Sequence, residues 1–186
     1  MGEKTERQKA LAGELYLASD PELVESHKRA CRLARTFNLT NPEETATRKQ
    51  LLKDLLGGIG EGAYIEPPFY CDHGTNIYLG ARVYMNFNCV FLDCNIIRIG
   101  EGTMLGPNVQ IYPATHPLNA AERAAGPELA YPVTIGRNVW IGGGAIIGPG
   151  VSIGDNTTIG AGSVVVKDIP ADVFAAGNPC RVIRNL

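Results

Sequence analysis

Residues 135–170 read IGRNVW IGGGAI IGPGVS IGDNTT IGAGSV VVKDIP, six hexapeptides in one unbroken register. An aliphatic residue heads each of them (Ile135, Ile141, Ile147, Ile153, Ile159, Val165), and four positions later a small or β-branched residue recurs (Val139, Ala145, Val151, Thr157, Ser163, Ile169). A period of six is neither the 3.6 of a helix nor the 2 of a lone strand, and a helix would smear these residues around its circumference. It is the period of a parallel β-helix. Each hexapeptide makes one short side of a triangular coil, the aliphatic residue points inward, and the glycine after it eases the chain round a corner.

Upstream, the same register runs through IGEGTM LGPNVQ IYPATH, with Ile99, Leu105 and Ile111 at the heads and Thr103, Val109 and Thr115 at the second position. Residues 117–134, PLNAAERAAGPELAYPVT, break it and read as a loop thrown out directly after His116. Loops on rigid scaffolds are where function concentrates. The register slips by two residues between Leu79 and Ile99, and the coil is expected to begin in the looser stretch that follows Pro67 and Pro68.

Two amphipathic helices are expected before the coil. One has Asp20 as cap, Pro21 in the first turn, and Ala30, Leu33, Ala34 and Phe37 at helical spacing; the other runs from Asn41 and Pro42 to a stop at Gly57 and Gly58. The expected division is a helical segment over 1–60 and a β-helix over 61–186, with its protruding loop 117–134 and a C-terminal tail.

At 186 residues the chain is long enough to bury one continuous core. A net charge of -2 and a pI near 5.9 give no reason to expect nucleic acid or an anionic membrane as partner. No apolar run approaches the roughly 18 residues that cross a bilayer, and MGEKTERQKA lacks the apolar core of a secretory signal, so a cytoplasmic protein is expected. The five cysteines (Cys31, Cys71, Cys89, Cys94, Cys180) show neither C-x-x-C pairing nor a metal-ligand spacing, and their odd number argues for buried free thiols. No metal is expected.

Several segments carry a resemblance: AGELYLASD, AYIEPPFYCDHGTNIYLG, YMNFNCVFLDC, IYPATHP, VTIGRNVWIGG and the ending VVKDIPADVFAAGNPCRVIRNL. Over nearly the whole chain, and in the family's order, they resemble the galactoside and maltose acetyltransferase family. The resemblance implies a left-handed coil, which the period alone does not give. It also implies transfer of acetyl from acetyl-coenzyme A to a sugar hydroxyl, with His116 as the catalytic base. A histidine can take and return a proton near neutral pH, and a sugar hydroxyl needs its proton removed as it attacks a thioester. Glu128 is a candidate for the other imidazole nitrogen, or else a solvated loop carboxylate.

Asn86 matches the family's asparagine near the reacting centre, where an amide N–H stabilises an oxyanion; a turn asparagine is the plainer alternative. Asp72 and Cys94 fall on acceptor positions at which the galactoside branch has Ser and Asp, and Ala18 falls on a further Asp. These departures favour glucose or maltose over galactosides, with Asp93 or Asp20 as possible compensation. Tyr84 packs on a sugar or is structural. For the coenzyme, Gly143, Ala161, Val166, Lys167, Arg181 and Arg184 match the family's positions: small residues let the pantetheine arm approach the backbone, and the cations suit phosphate. Val166 replaces a usual threonine, at the cost of one hydrogen bond. Trp140 walls the thioester pocket or contacts another subunit.

Other functions are compatible with the same coil. One is acetyl transfer to a non-sugar acceptor such as an antibiotic or serine; another is a non-catalytic assembly subunit. A γ-type carbonic anhydrase needs three histidine ligands, and with His27 in a helix only His73 and His116 remain near the coil. Finally, Asn86 and His116 hold the same hexapeptide position thirty residues, five sides, apart. With three sides to a coil they fall at different corners, so a homotrimer sharing its sites between subunits is expected.

Overall fold

Ile135, Ile141 and Ile147 occupy three successive sides of one triangular turn, and each sits on its counterpart in the turns above and below. The computed structural model describes residues 3–186; Met1 and Gly2, which belong to the expected segment 1–60, lie outside the described residues. Three parallel sheets form the faces of the prism. The first stacks Ile59, Leu79, Ile99, Ile135 and Ile153 in register. The second stacks Ile65, Met85, Leu105, Ile141, Ile159 and Ala175. The third stacks Cys71, Phe91, Ile111, Ile147 and Val165. Apart from the half-buried Ile59, all of these are buried, and they form one continuous core.

The second repeat position lies inside too. Val109, Val139, Ala145, Thr157 and Ser163 are fully buried. The polar ones are satisfied: Thr103 donates to Gly136 O at 2.8 Å, Thr157 to Pro170 O at 2.7 Å and Ser163 to Gly160 O at 2.6 Å. A buried hydroxyl is tolerable only with such a partner. Thr115 breaks the pattern. Instead of lining the prism, Ala114–Thr115 pairs antiparallel with Leu129–Ala130, so the chain leaves the coil at Pro113, ahead of the expected 117. It rejoins the first face at Val133–Ile135.

The coil starts at Gly58–Ile59, which pairs with Tyr78–Leu79, earlier than the Pro67–Pro68 region expected. Among the described residues three helices precede it, one more than expected. α1 (Glu6–Leu11) carries a capping box between Thr5 and Gln8, a signal legible in TERQ. α2 (Pro21–Asn38) begins as predicted, with the Asp20 carboxylate accepting Glu22 N–H at 2.9 Å. α3 (Thr45–Leu55) starts four residues late because Asn41 N–H bonds to the Glu44 carboxylate at 2.7 Å and closes a turn first. A short α4 (Ala120–Ala124) lies in the excursion. Ala30, Ala34 and Phe37 of α2 and Leu52 and Leu55 of α3 join the prism core. They close the first coil, which a solenoid would otherwise leave as an open apolar end.

All five cysteines are free; Cys71, Cys89 and Cys180 are buried and Cys94 partly so, but Cys31 is exposed, since its position on α2 faces away from the core. Among the described residues no helix is long and apolar enough to cross a membrane.

Since Ile141 is fully buried between Leu105 and Ile159, Ile141→Ala should cost about 2–5 kcal/mol, the range for emptying a rigid core site. Urea unfolding followed by circular dichroism measures it.

Candidate functional site

Every departure from an eighteen-residue turn falls at one corner of the prism, where the third face passes to the first. In-register partners lie twenty residues apart in the first turns (Cys71 and Phe91, Phe91 and Ile111) and thirty-six apart across the excursion (Ile111 and Ile147). The additions are residues 72–76, residues 92–96 and the excursion. This corner, called here the loop corner, gathers Asp72, Asp93, Cys94, His116 and Glu128.

Asp93 holds the corner together. It is completely buried, and its carboxylate accepts the backbone N–H groups of Asp72 (3.0 Å), His73 (2.8 Å) and Asn76 (3.3 Å). Burial pushes its pKa up to about 7, against the pull of the amides. The expectation that Asp93 faces an acceptor is therefore corrected: its oxygens are consumed by the loop of the preceding turn. Asn95 fastens the next layer, donating to Ala10 O at 2.8 Å and Ala130 O at 2.9 Å. It thereby ties α1 and the stem of the excursion to the coil.

Upon that base lies an antiparallel row. Tyr16 pairs with Glu128 through both backbone bonds, and Tyr16 Oη donates to the Glu128 carboxylate at 2.8 Å. The stem pairs Ala114 with Ala130 and Thr115 with Leu129; one residue further along, that register sets His116 opposite Glu128. No hydrogen bond joins the two side chains among the described residues, because the carboxylate turns to Tyr16 instead. His116 is exposed. Burial raises the Tyr16 phenol, so it stays a donor.

A cavity of about 320 Å³ opens beside this row, lined by Tyr16, Ala18, His27, Lys28, Asp72, His73, Cys94 and Glu128 together with Leu23 and Val24. Burial pushes the Cys94 thiol up to about 12, and it donates to Asp72 Oδ2 at 3.5 Å. Burial lowers the pKa of His73, which lies 3.1 Å from Ser26 Oγ. Asp20, also weighed as compensation, is engaged as the α2 cap. Tyr16, His27 and Lys28 were missed by sequence reasoning. The excursion and two N-terminal segments meet here without any common period to announce it.

Asn86, Gly143 and Ala161 lie elsewhere, at the corner between the second and third faces, called here the glycine corner. Asn86 Oδ1 accepts Phe87 N–H at 2.7 Å, and among the described residues its Nδ2 has no partner. A Cβ on Gly142 would come within 2.4 Å of Ala161 N, so the turns stack backbone on backbone here. Gly144 and Gly162 face open space. Tyr84 and Trp140 lie on the outside of the second face, in a cross-strand ladder Tyr64–Tyr84–Met104–Trp140–Thr158–Phe174. Tyr64 and Tyr84 stack at 6.3 Å, and Met104 and Trp140 are 50% and 54% exposed. Val166 and Lys167 are at the loop corner; Arg181 and Arg184 lie on the last strand, Arg181–Asn185. All four are exposed, and among the described residues none of the three cations has a carboxylate in ion-pair range. Small residues along an open backbone and unpaired cations at one end are what a pantetheine arm and its phosphates require. One chain thus puts the expected base and the expected oxyanion donor on two different corners.

Comparison with known proteins shows the family and the fold. Residues 9–60 match the maltose acetyltransferase hexapeptide capping motif, and residues 132–167 match the bacterial transferase hexapeptide (six repeats). The crystal structure of a maltose O-acetyltransferase from Clostridium difficile 630 superposes with a TM-score of 0.98 at 48% identity, covering 100% of this chain and 99% of that one. A galactoside acetyltransferase in complex with coenzyme A superposes with a TM-score of 0.95 at 42% identity, covering 98% and 92%. Nodulation protein L of Rhizobium meliloti (strain 1021) is 49% identical over 179 residues, 96% of this chain and 98% of its own length.

Removing the anchor of the loop corner tests how it is built. Asp93→Ala orphans the buried amides of His73 and Asn76, while Asp72 N–H keeps Phe91 O at 3.3 Å, and should destabilise the chain by at least about 2 kcal/mol. Thermal and urea unfolding measure the loss; an unchanged midpoint would show that water replaces the carboxylate.

Proposed function

Because this chain belongs to the galactoside and maltose acetyltransferase family of hexapeptide-repeat proteins, we propose that it moves acetyl from acetyl-coenzyme A to a sugar hydroxyl, with His116 as general base. The observation that carries this reading is the position of His116, exposed at the end of a stem that Asn95 and Tyr16 fasten beside the cavity. His116 accepts the hydroxyl proton as the sugar oxygen attacks the thioester carbonyl. The carbon–sulfur bond then breaks, and the proton passes from His116 to the departing thiolate. The free Nδ2 of Asn86 donates to the oxyanion formed between these steps. Glu128, opposite His116, steadies the imidazolium.

Glucose or maltose is the proposed acceptor class. Cys94 stands where the galactoside branch has a carboxylate, and its thiol is committed to Asp72. Gly143 and Ala161 would admit the pantetheine arm, with Trp140 beside it, while Lys167, Arg181 and Arg184 would hold the phosphates. Five free cysteines suit a reducing compartment, and the reaction is assigned to the cytoplasm.

The active unit in this reading is a homotrimer. Asn86 and His116 stand on two corners, separated by the whole third face, and Asn86 directly follows Tyr84–Met85, a rung of the exposed aromatic ladder of the second face. An apolar patch of that kind marks an interaction surface. A threefold ring would bring the glycine corner of one subunit to the loop corner of its neighbour, with the same contact at each interface.

Two measurements test the proposal. His116→Ala and Asn86→Ala chains, the first losing about 10² to 10⁴ in turnover, should recover activity in about a quarter of the sites when unfolded, mixed equally and refolded together; mixed trimers without activity would disprove the shared site. Lys167→Ala combined with Arg181→Ala should raise the KM for acetyl-coenzyme A far more than it raises the KM for the sugar. Equal effects on both substrates would remove the phosphate role.

A further inference from the structure

The outer side of α2 carries a cysteine that acetyl transfer leaves unused, beside His27, which also borders the first cavity. Cys31 and His27 are four residues apart and therefore share a helix face; Cys31 Sγ lies 3.4 Å from His27 Nε2. The opposite ring nitrogen, Nδ1, lies 2.9 Å from the backbone oxygen of Asp72. A carbonyl only accepts, so Nδ1 carries the proton and the Nε2 lone pair faces the thiol. The Asp72 carboxylate stands 3.7 Å from the same Nδ1, positioned to support a positive ring. Thiol, imidazole and carboxylate are in the order that activates a cysteine nucleophile.

Three further features single this thiol out. Cys31 is the exposed cysteine of the five. The thiols of Cys89 and Cys94 are pushed up to about 11 and about 12 by burial, which keeps them inert. Beside Cys31 opens a second cavity, of about 420 Å³, walled by Arg35, Asn38, Leu39 and Tyr70. Among the described residues Arg35 has no carboxylate partner.

We propose that Cys31 is a site of reversible thiol modification, at which a small disulfide bearing carboxylates enters the cavity beside Arg35 and exchanges with the thiol under the action of His27. His27 Nε2 takes the Cys31 proton, and the thiolate attacks one sulfur of the disulfide. The old sulfur–sulfur bond breaks as a mixed disulfide forms on Cys31. The departing thiolate then takes the proton from His27, so the incoming disulfide is the oxidant. His27 also borders the first cavity, but thiol exchange needs no acetyl donor or acceptor, and neither does its test.

The probe is the dianionic aromatic disulfide dithiobis(nitrobenzoate), added to the folded full-length protein, with release of the coloured thiol followed in time and the adduct located by peptide mass. One fast equivalent per chain is expected at Cys31, faster than the same thiol in urea. Cys31→Ser should abolish the fast phase, and His27→Gln should slow it by about tenfold or more. Arg35→Ala should slow the dianionic probe but not neutral dithiodipyridine. The proposal is overturned if Cys94 or a buried thiol reacts first, if unfolding in urea leaves the Cys31 rate the same or raises it, or if folded His27→Gln reacts at the wild-type rate. Equal slowing of both probes by Arg35→Ala would remove the carboxylate-binding role.

Discussion

Every turn of this protein is held by the same contact, an inward aliphatic side chain resting on the aliphatic side chain one turn away. With the backbones in parallel register, residues such as Ile135 and Ile153, or Ile141 and Ile159, meet in a dry column. Each column is worth roughly 1.5–3 kcal/mol per fully buried residue. More importantly, it forbids any change in the length of a side, because one added residue would turn an inward side chain outward. The chain has freedom only at corners.

That constraint explains where the chemistry collects. The first turns carry two extra residues each and the third turn an entire excursion, all at the loop corner, so the ladders above and below keep register. A corner opened in this way has backbone amides, those of His73 and Asn76, that no strand pairs. Asp93 supplies their acceptor from the next turn, and Asn95 ties in α1 and the stem. The cavity is therefore a by-product of insertions stacked at one edge and bridged by buried polar side chains, which become costly once unpartnered. The glycine corner has the opposite character: its turns stack too closely for a side chain and leave an open backbone track.

The prism has one irregular edge, the loop corner, and smooth edges at which the turns stack backbone on backbone, among them the glycine corner. His116 is at the loop corner, Asn86 at the glycine corner, and the aromatic ladder of the second face is left exposed between turns otherwise well satisfied. In the proposed trimer, repetition of the chain about an axis parallel to the prism brings the two edges together. The expected coenzyme residues do not all follow one edge: Gly143 and Ala161 are at the glycine corner, Val166 and Lys167 at the loop corner.

The amino-acid sequence determined the coil by itself, because a six-residue period in Ile and Gly has only one regular structure that buries it. It determined α2 through Asp20 and Pro21, and it marked His116 as the titratable residue at a break in the register. The two-residue slip was visible as well, though its recurrence at a single corner was not. Tertiary structure decided what depends on segments distant in the chain. Asp93 reads as an acceptor-site carboxylate in sequence, yet it is a buried anchor, since only folding brings the amides of residues 72–76 onto it. Tyr16 and Glu128 meet across 112 positions, and Cys31 acquires a partner whose tautomer is set by a carbonyl forty-five residues from His27. Periodicity encodes contacts that repeat. Contacts made once, between a helix, a loop and a corner, leave no period to read.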